Sequence, residues 1–178
     1  MSTPLPLISL VLGGARSGKS RYAEELVEAQ GRGLYLATAE AMDDEMAARI
    51  EKHRARRGEI WETIEEPREV PAVLAREARP DRPILVDCLT LWLSHLLFHD
   101  MKAGEEIQKL TELLQSGALR GPVVFVSNEI GLGVVPDNHV SRLFLDAQGE
   151  LNQLVAKLAN RVVLVTAGLP QILKDETS

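Results

Sequence analysis

The sequence predicts an α/β fold in which helices cover both faces of a mostly parallel central sheet. Short apolar segments of strand length alternate with helical segments along the chain, as they do when crossover helices join parallel strands. Residues 13–20 read Gly-Gly-Ala-Arg-Ser-Gly-Lys-Ser and follow an apolar segment, which is the G-x-x-x-x-G-K-[ST] spacing of a phosphate-binding loop between a strand and a helix. The predicted fold class is therefore a P-loop NTPase of the RecA-like type.

The first predicted elements flank this loop. Residues 7–12 are mostly apolar and predict the first strand. A helix is expected over 20–30, where three apolar residues recur near one face and glutamates lie on another: Tyr22, Leu26 and Ala29. Glycines at positions 31 and 33 end this helix, and residues 34–37 predict a short second strand.

The remaining elements continue the alternation. A charged helix is predicted over 43–57, because acidic residues open its first turn, where the helix dipole favours negative charge. Apolar segments indicate further strands at 61–64, 84–87, 123–126 and 162–165. Helical patterns fill the intervals at 71–79, 89–99, 105–114 and 138–159.

The length of 178 residues suits one α/β domain over residues 1–178, and the composition argues against several classes of protein. The net charge of −6 gives no basic surface for nonspecific nucleic-acid binding. The one cysteine, Cys88, cannot form an intrachain disulfide, which fits the cytoplasm. No segment approaches the ~18 apolar residues of a membrane span, and the N-terminal residues lack the pattern of a signal peptide.

Polar residues follow the predicted strands where a ligand would bind. Ligands of open α/β sheets lie outside the carboxyl ends of the strands. Thr38, Asp87 and the segment 127–129 each come just past a predicted strand end, as the phosphate loop does. We expect all of them on one rim of the sheet.

The phosphate loop predicts a nucleoside triphosphate as ligand. Its glycines allow successive backbone N–H groups to face phosphate oxygens, and the helix that follows adds the positive end of its dipole. Lys19 is expected at the β- and γ-phosphates, and the Ser20 hydroxyl at Mg²⁺. Arg16 is a further cation that either meets phosphate or is only exposed.

Asp87 ends an apolar strand and has two compatible interpretations. A carboxylate in this place can hold Mg²⁺ opposite Ser20, directly or through water, as phosphoryl transfer requires. It can also cap the helix predicted to begin at residue 89.

The histidines give weaker signals. On the predicted 43–57 helix, His53 lies one turn from Arg49 and from Arg57, so it is either a nucleophile beside phosphate-binding arginines or an exposed side chain on a basic face. His95 and His99 are four residues apart, but no third metal ligand is placed by the sequence. They are interpreted as the polar face of a helix whose other face carries Leu93, Leu96 and Leu97.

The segment 128–136, Asn-Glu-Ile-Gly-Leu-Gly-Val-Val-Pro, follows a predicted strand. Its two glycines suggest either close approach of a ligand to the backbone or strained dihedral angles. The alternative is an ordinary glycine turn between strand and helix. The candidates for substrate contact in this segment are Asn128, Glu129, Gly131 and Gly133.

Taken together, these segments resemble the bifunctional adenosylcobinamide kinase / adenosylcobinamide-phosphate guanylyltransferase family of cobalamin biosynthesis. The matching blocks run in order along nearly the whole chain and cover residues 13–21, 35–39, 44–50 with His53 and Arg54, 86–92, 127–136 with Asn138 and Arg142, 146–153 and 167–170. Only the phosphate loop among them is a general motif, so the joint match is specific.

The resemblance implies two reactions. ATP or GTP phosphorylates the aminopropanol hydroxyl of adenosylcobinamide, and GTP then transfers GMP to that phosphate with release of pyrophosphate. The family carries GMP on a histidine, and its Arg-Ile-x-x-His pattern falls on Arg49, Ile50 and His53. Members are usually homo-oligomers, and a trimer is implied.

The resemblance and the motif together give a set of site residues. Catalysis is assigned to His53 and Lys19, and metal binding to Ser20 and Asp87. A carboxylate after Trp61 is implied to contact guanine or ribose, with Glu65 the first placement and Glu62 the second. The nucleotide-binding residues are expected to be Gly13, Gly14, Ala15, Arg16, Ser17, Gly18, Lys19, Ser20, Thr38, Ala39, Glu40, Arg54, Ala55, Arg56, Arg57, Glu65 and Asp87.

Two other functions use the same loop. One is a different P-loop kinase of small molecules, in which the 43–57 helix is only a lid. The other is a RecA-like motor or switch that acts on a macromolecule, which the acidic balance of the chain disfavours.

Overall fold

A computed structural model describes residues 4–40, 58, 60–99 and 102–176. Within them seven strands form one sheet in the order β3-β2-β4-β5-β1-β6-β7. Their bounds are β1 Ile8–Gly13, β2 Gly33–Ala37, β3 Trp61–Glu65, β4 Ile84–Asp87, β5 Val123–Asn128, β6 Arg161–Thr166 and β7 Leu169–Asp175. Every neighbouring pair is parallel except β6 and β7, so the prediction of a mostly parallel sheet is confirmed.

Five helices lie within the described ranges: α1 Lys19–Glu28, α2 Val70–Glu77, α3 Leu89–Phe98, α4 Ala103–Gln115 and α5 His139–Leu158. Each corresponds to a predicted helix, with ends that differ by at most two residues. The helix predicted over 43–57 lies outside the described residues.

Helices cover both faces of the sheet, as predicted. Alternate residues of β1 point to opposite faces, so Leu10 packs in one core cluster and Val11 in another. The Leu10 cluster receives apolar residues from α2, α3, α4 and α5, whereas the Val11 cluster receives Ala23 and Val27 from α1. Because the central strands are buried on both faces, they read in the sequence as continuous apolar segments rather than as alternating ones.

The buried face of α1 differs from the prediction. Ala23 and Val27 are fully buried, whereas Tyr22 and Leu26 are half-buried and Ala29 is exposed. The helix starts at the phosphate loop, where Gly18 caps it in a left-handed conformation. The path of the loop therefore fixes the rotation of the helix, and the two small residues that fit closest to the sheet form the contact.

The assignment of faces on α3 is wrong at two positions. His95 has 5% of its surface exposed, whereas Leu97 has 40% exposed. Leu89, Trp92, Leu93 and Leu96 form the buried stripe, and His95 lies three residues after Trp92. His95 lies next to Glu40, which follows β2 and is 55 positions away in the chain, a neighbour that helical periodicity does not reveal.

Two strand predictions are corrected. Ser127 and Asn128 are the last residues of β5 and not the start of a loop. The antiparallel strand β7 was not predicted, because most of its residues are exposed and it contains Pro170. Its pairing with β6 through a tight turn supplies the order that the local pattern lacks.

The parallel strands bring the predicted polar residues to one edge of the sheet. Gly13 pairs with Asn128, and Ala37 pairs with both Asp87 and Glu65, so the carboxyl ends of five strands lie side by side. Of the described helices, none combines the length and apolar character needed to cross a lipid bilayer.

Candidate active site

The phosphate loop lies at the centre of this edge, since β1 is flanked by β5 and β6. Gly18 has a φ of 93°, in the left-handed region that glycine tolerates best, and α1 begins at the next residue. Gly13 has a different requirement, because a Cβ there would lie 2.3 Å from Ser17 Oγ and 2.6 Å from the Val165 carbonyl oxygen. Both glycines are therefore needed for the path of the loop.

Lys19 and Ser20 occupy the first turn of α1, where the motif requires them. Lys19 Nζ donates to the Gly14 carbonyl at 3.2 Å, so the ammonium group lies across the loop. Ser20 is half-buried and Arg16 is exposed with a positive φ of 57°. The site thus has one ammonium group over the loop and a guanidinium group at its outer side.

The turn between β6 and β7 packs against the phosphate loop and is hydrogen-bonded to it. The Gly168 backbone N–H donates to the Ser17 carbonyl at 2.8 Å, and the Gly168 Cα lies 3.2 Å from where a Cβ on Gly18 would be. The strand that was missed from the sequence therefore has a role at the site. The only sequence signal for it was the resemblance at residues 167–170, to which no function was attached.

Asp87 ends β4 at the same edge, and its carboxylate accepts a hydrogen bond from the Tyr35 hydroxyl at 2.5 Å. This contact holds one carboxylate oxygen, Oδ2, in place. Asp87 makes no capping bond to α3, whose N-cap residue is Cys88 with no side-chain hydrogen bond. The capping interpretation of Asp87 is therefore not supported.

Thr38 and Cys88 join the ends of β2 and β4. The Thr38 hydroxyl donates to the Cys88 carbonyl and accepts from the Cys88 N–H, both at 2.7 Å. Thr38 is fully buried, so its side chain is committed to this contact and not exposed at the rim. Ala39 is half-buried and Glu40 is exposed. Of the three residues predicted to bind nucleotide after β2, these two are therefore accessible at the surface.

Cys88 is a buried thiol and not a nucleophile. Burial, together with the neighbouring Asp87 carboxylate, raises the pKa of the thiol to about 12. A thiol with this pKa is protonated at neutral pH and unreactive.

The two glutamates of β3 lie at different ends of the sheet. Glu62 pairs in register with Leu34 and its carboxylate binds the Arg82 guanidinium, close to where β4 begins. Glu65 pairs with Ala37, at the carboxyl end, where Asp87 also pairs. The register therefore favours Glu65 over Glu62 as the carboxylate near a nucleotide.

The sequence did not predict a cluster of charged and histidine side chains around Glu40, just after β2. His95 Nδ1 lies 3.7 Å from Glu40 Oε2, and the same oxygen lies 3.8 Å from the Arg68 guanidinium. The ring of His99 stands 5.6 Å from that of His95. Burial lowers the pKa of His95, helped by His99 and Arg68, while the Glu40 carboxylate opposes the shift.

This shift predicts a pH dependence of stability. Because the pKa of His95 is lower in the folded than in the unfolded chain, the unfolded chain binds more protons as the pH falls below the ordinary value of 6.5. The free energy of unfolding should therefore decrease as the pH is lowered from about 6.5, and His95→Gln should reduce that decrease. Urea unfolding at a series of pH values measures it.

His139→Gln is the matched control, since His139 is an exposed histidine at the start of α5 and does not belong to the cluster around His95. An unchanged pH slope in His95→Gln would show that another group titrates.

The end of β5 is held by a buried polar network from α5. The Ser127 hydroxyl donates to Asn152 Oδ1 at 2.6 Å and accepts from Gln148 Nε2 at 3.0 Å. Asn152 Nδ2 donates to the Asn128 carbonyl at 3.0 Å, and the Asn128 N–H donates to Thr90 Oγ1 at 2.8 Å. These contacts place Asn128 beside Gly13 on the same edge as the phosphate loop.

The segment that leaves β5 starts at the phosphate loop, since the Glu129 N–H donates to the Gly13 carbonyl at 3.0 Å. The Glu129 carboxylate accepts from the Gly131 N–H at 2.7 Å. Neither Gly131 nor Gly133 has a positive φ, so the expectation of strained dihedral angles is wrong at both.

The predicted residues thus divide into three groups. The phosphate loop, Asp87, Glu65 and Asn128 come together at the carboxyl edge, where the Thr38 side chain is buried against the Cys88 backbone. His95 and His99 form no metal cluster, since no group of three or more potential metal ligands of the His, Cys, Asp and Glu types occurs in the described part of the chain. His53, Arg54, Ala55, Arg56 and Arg57 lie outside the described residues.

Comparison with solved structures supports the fold. The flagellar accessory protein FlaH from Methanocaldococcus jannaschii aligns over 98% of this chain and 80% of its own, with a TM-score of 0.54 and 11% identity. The RadB recombinase aligns over 92% and 76%, with a TM-score of 0.52 and 14% identity. At these identities the likeness shows a RecA-like P-loop NTPase fold and no more.

Comparison of sequences is more specific. The family model described as cobinamide kinase / cobinamide phosphate guanyltransferase matches residues 9–173. The bifunctional adenosylcobalamin biosynthesis protein CobP of Pseudomonas aeruginosa is 50% identical over 170 residues, covering 94% of this chain and 97% of its own. The corresponding protein CobU of Escherichia coli is 40% identical, covering 92% and 97%. The chain therefore belongs to the bifunctional cobinamide kinase / cobinamide phosphate guanyltransferase family.

Proposed function

We propose that this chain phosphorylates adenosylcobinamide with ATP or GTP and then transfers GMP from GTP to the phosphate it has made. The match of the family model over residues 9–173 is the observation that carries the proposal. The geometry adds a physical reason, because the phosphate loop, Asp87 and Asn128 lie along one sheet edge where a triphosphate and an acceptor can meet.

In the kinase step, a hydroxyl oxygen of cobinamide attacks the γ-phosphorus of the triphosphate. The oxygen–phosphorus bond forms as the bond to the β-phosphate oxygen breaks, and the nucleoside diphosphate leaves. Lys19 is the residue proposed to offset the charge on the β- and γ-phosphates, and the loop N–H groups orient them.

In the transfer step, we assign His53 as nucleophile on the resemblance alone. An imidazole nitrogen attacks the α-phosphorus of GTP, a nitrogen–phosphorus bond forms and pyrophosphate leaves. A phosphate oxygen of cobinamide phosphate then displaces the histidine. The covalent intermediate divides one displacement into two, each with its own acceptor. Arg54 and Arg57 are proposed to steady the phosphates, and Glu65 to contact guanine or ribose.

The site fits Mg²⁺ as part of the substrate complex. The Ser20 hydroxyl and the Asp87 carboxylate offer oxygen ligands, which Mg²⁺ prefers. Two protein ligands suffice where phosphates and water complete the shell, and the described residues offer no fuller cage. When bound, the ion would spread the negative charge of the phosphates.

The proposed assembly is a homo-oligomer, a trimer by the family resemblance, in the cytoplasm. The net charge of −6 supports small-molecule substrates over nucleic acid.

The test follows both reactions in one preparation. The protein is incubated with cobinamide and either ATP or GTP, and the products are separated by chromatography with mass detection. We expect cobinamide phosphate with a triphosphate donor, and cobinamide-GDP and pyrophosphate only when GTP is present. ATP hydrolysis that ignores cobinamide but rises with DNA or a protein would instead identify a motor or switch.

A further inference from the structure

An exposed apolar segment lies between β5 and α5 and has no role in the proposed phosphate chemistry. Leu132, Val134 and Val135 expose 84%, 98% and 62% of their surface. Exposed apolar side chains grouped in one segment mark a binding surface more often than a single exposed leucine does. We call Leu132, Gly133, Val134 and Val135 the apolar segment.

The backbone on both sides of the apolar segment is held in place. Before it, the Glu129 N–H is bonded to Gly13 of the phosphate loop, and the Glu129 carboxylate to the Gly131 N–H. After it, Arg142 donates to the Pro136 carbonyl at 2.9 Å and to the Asp137 carbonyl at 2.6 Å. A segment fixed at both ends presents its side chains with little ordering cost on binding.

Gly133 leaves open space on the exposed face of the apolar segment. Its φ is not positive, and no described atom lies within 4 Å of the place where its Cβ would be. Within the described residues, therefore, neither backbone conformation nor packing requires glycine at this position. Because glycine has no side chain, a ligand can approach the backbone closely between the two highly exposed apolar side chains.

We propose that the apolar segment is the surface on which the corrin macrocycle of cobinamide lies. The inference rests on the proposed function and adds to it the place where the large substrate binds. Cobinamide is a broad ring with methyl-bearing faces, joined by a short chain to the hydroxyl that receives phosphate. The phosphate loop, residues 13–20, carries no apolar side chain larger than that of alanine. The apolar segment begins three residues after Glu129, which is bonded to the loop.

The placement fits the reach that the kinase step needs. The hydroxyl must reach the γ-phosphate bound at the phosphate loop, while the ring stays outside that charged loop. A ring on Leu132 and Val134 satisfies both conditions, because covering these side chains removes apolar surface from water and leaves the polar chain directed to the loop.

The test combines two variants with matched controls. Leu132→Ser with Val134→Ser removes the apolar contact, and Gly133→Ala adds a methyl group to the ligand face. The controls are Leu173→Ser, which alters a leucine with 54% exposure on β7, and Gly104→Ala, which alters a glycine on α4 with open space around it. Cobinamide is the probe in equilibrium dialysis, and sedimentation gives the mass of each variant.

We expect the double serine variant to weaken cobinamide binding at least about tenfold, and Gly133→Ala to weaken it severalfold. The KM for GTP and the yield of guanylyl-enzyme should stay within about twofold of the unaltered protein, as should all values for the controls. The conservative pair Leu132→Met with Val134→Ile should retain binding.

Two results would overturn the inference while the proposed function stands. One is unchanged cobinamide binding in the double serine variant. The other is a loss of binding that accompanies a fall in molecular mass, which would identify the surface as a contact between copies of the chain. Failure of the unaltered protein to bind cobinamide would reject the proposed function itself.

Discussion

Replacing His53 with alanine should reduce the covalently bound GMP that forms with GTP from near-stoichiometric to background. Without the imidazole, nothing in the proposed reaction can form the nitrogen–phosphorus bond that holds the nucleotide. The protein is incubated with GTP labelled at the α-phosphate, denatured and counted, and the modified peptide is mapped by mass spectrometry. The label in the unaltered protein should be acid-labile and base-stable, as a phosphoramidate is.

The kinase step separates this role from general damage. The His53→Ala protein should still convert cobinamide to cobinamide phosphate, because the γ-phosphate transfer does not use the histidine. His99→Ala, an exposed histidine on α3, is the matched control and should label like the unaltered protein. A label that survives in His53→Ala would assign the nucleophile to another residue.

Replacing Lys19 with alanine should lower both activities, with kcat/KM reduced on the order of 10²–10³-fold, or about 3–4 kcal/mol of transition-state stabilisation. The Lys19 ammonium lies across the loop at the Gly14 carbonyl, and no second lysine belongs to the described loop. In the proposed mechanism both reactions bind a triphosphate at the same loop, so both should lose the same point charge. Initial rates at several GTP concentrations give the value.

Stability distinguishes loss of charge from loss of fold. The Lys19 contact to Gly14 is a half-buried hydrogen bond, so the variant should unfold within about 1 kcal/mol of the unaltered protein. Lys102→Ala, at an exposed lysine that begins α4, should leave both activities unchanged. Near-normal turnover in Lys19→Ala would show that the loop does not bind triphosphate as proposed.

The two variants also test whether the same phosphate loop binds the triphosphate in both reactions. Lys19→Ala should affect the kinase and the transferase together, whereas His53→Ala should affect only the transferase. If Lys19→Ala lost the kinase but kept the guanylyl-enzyme, GTP would have to bind for transfer at a second place.

The sequence predicted the sheet well where its strands are buried on both faces. The strand 84–87 is apolar up to its last residue, Asp87, because both faces of the strand are buried, and the prediction matched the structure at both ends. The edge strand β7 was missed, because an exposed strand carries no such signal. Its order depends on hydrogen bonds to β6 and on the turn at Gly168, which are set by partners elsewhere in the chain.

The site shows the same division. Lys19 and Ser20 lie in the first turn of α1, after a strand and a glycine loop, as the motif predicts. The motif could be predicted because it is local, with strand, glycines and helix all within about twenty residues. The buried contact of Thr38 with Cys88 and the cluster around His95 were not foreseen, because each joins residues 50 or more positions apart. A helical pattern placed His95 on a polar face, whereas the folded chain buries it next to Glu40.

Patterns among residues close together in the sequence were thus enough to predict the fold class, the phosphate-loop motif and the family. The periodicity of apolar residues and the spacing of the loop reflect interactions between near neighbours, so a sequence displays them directly. Long-range packing settled which carboxylate of β3 faces the rim, what supports the loop from behind, and which apolar residues remain exposed beside it. Those features arise only when distant strands pair in register, because a shift of one residue would turn each side chain to the opposite face.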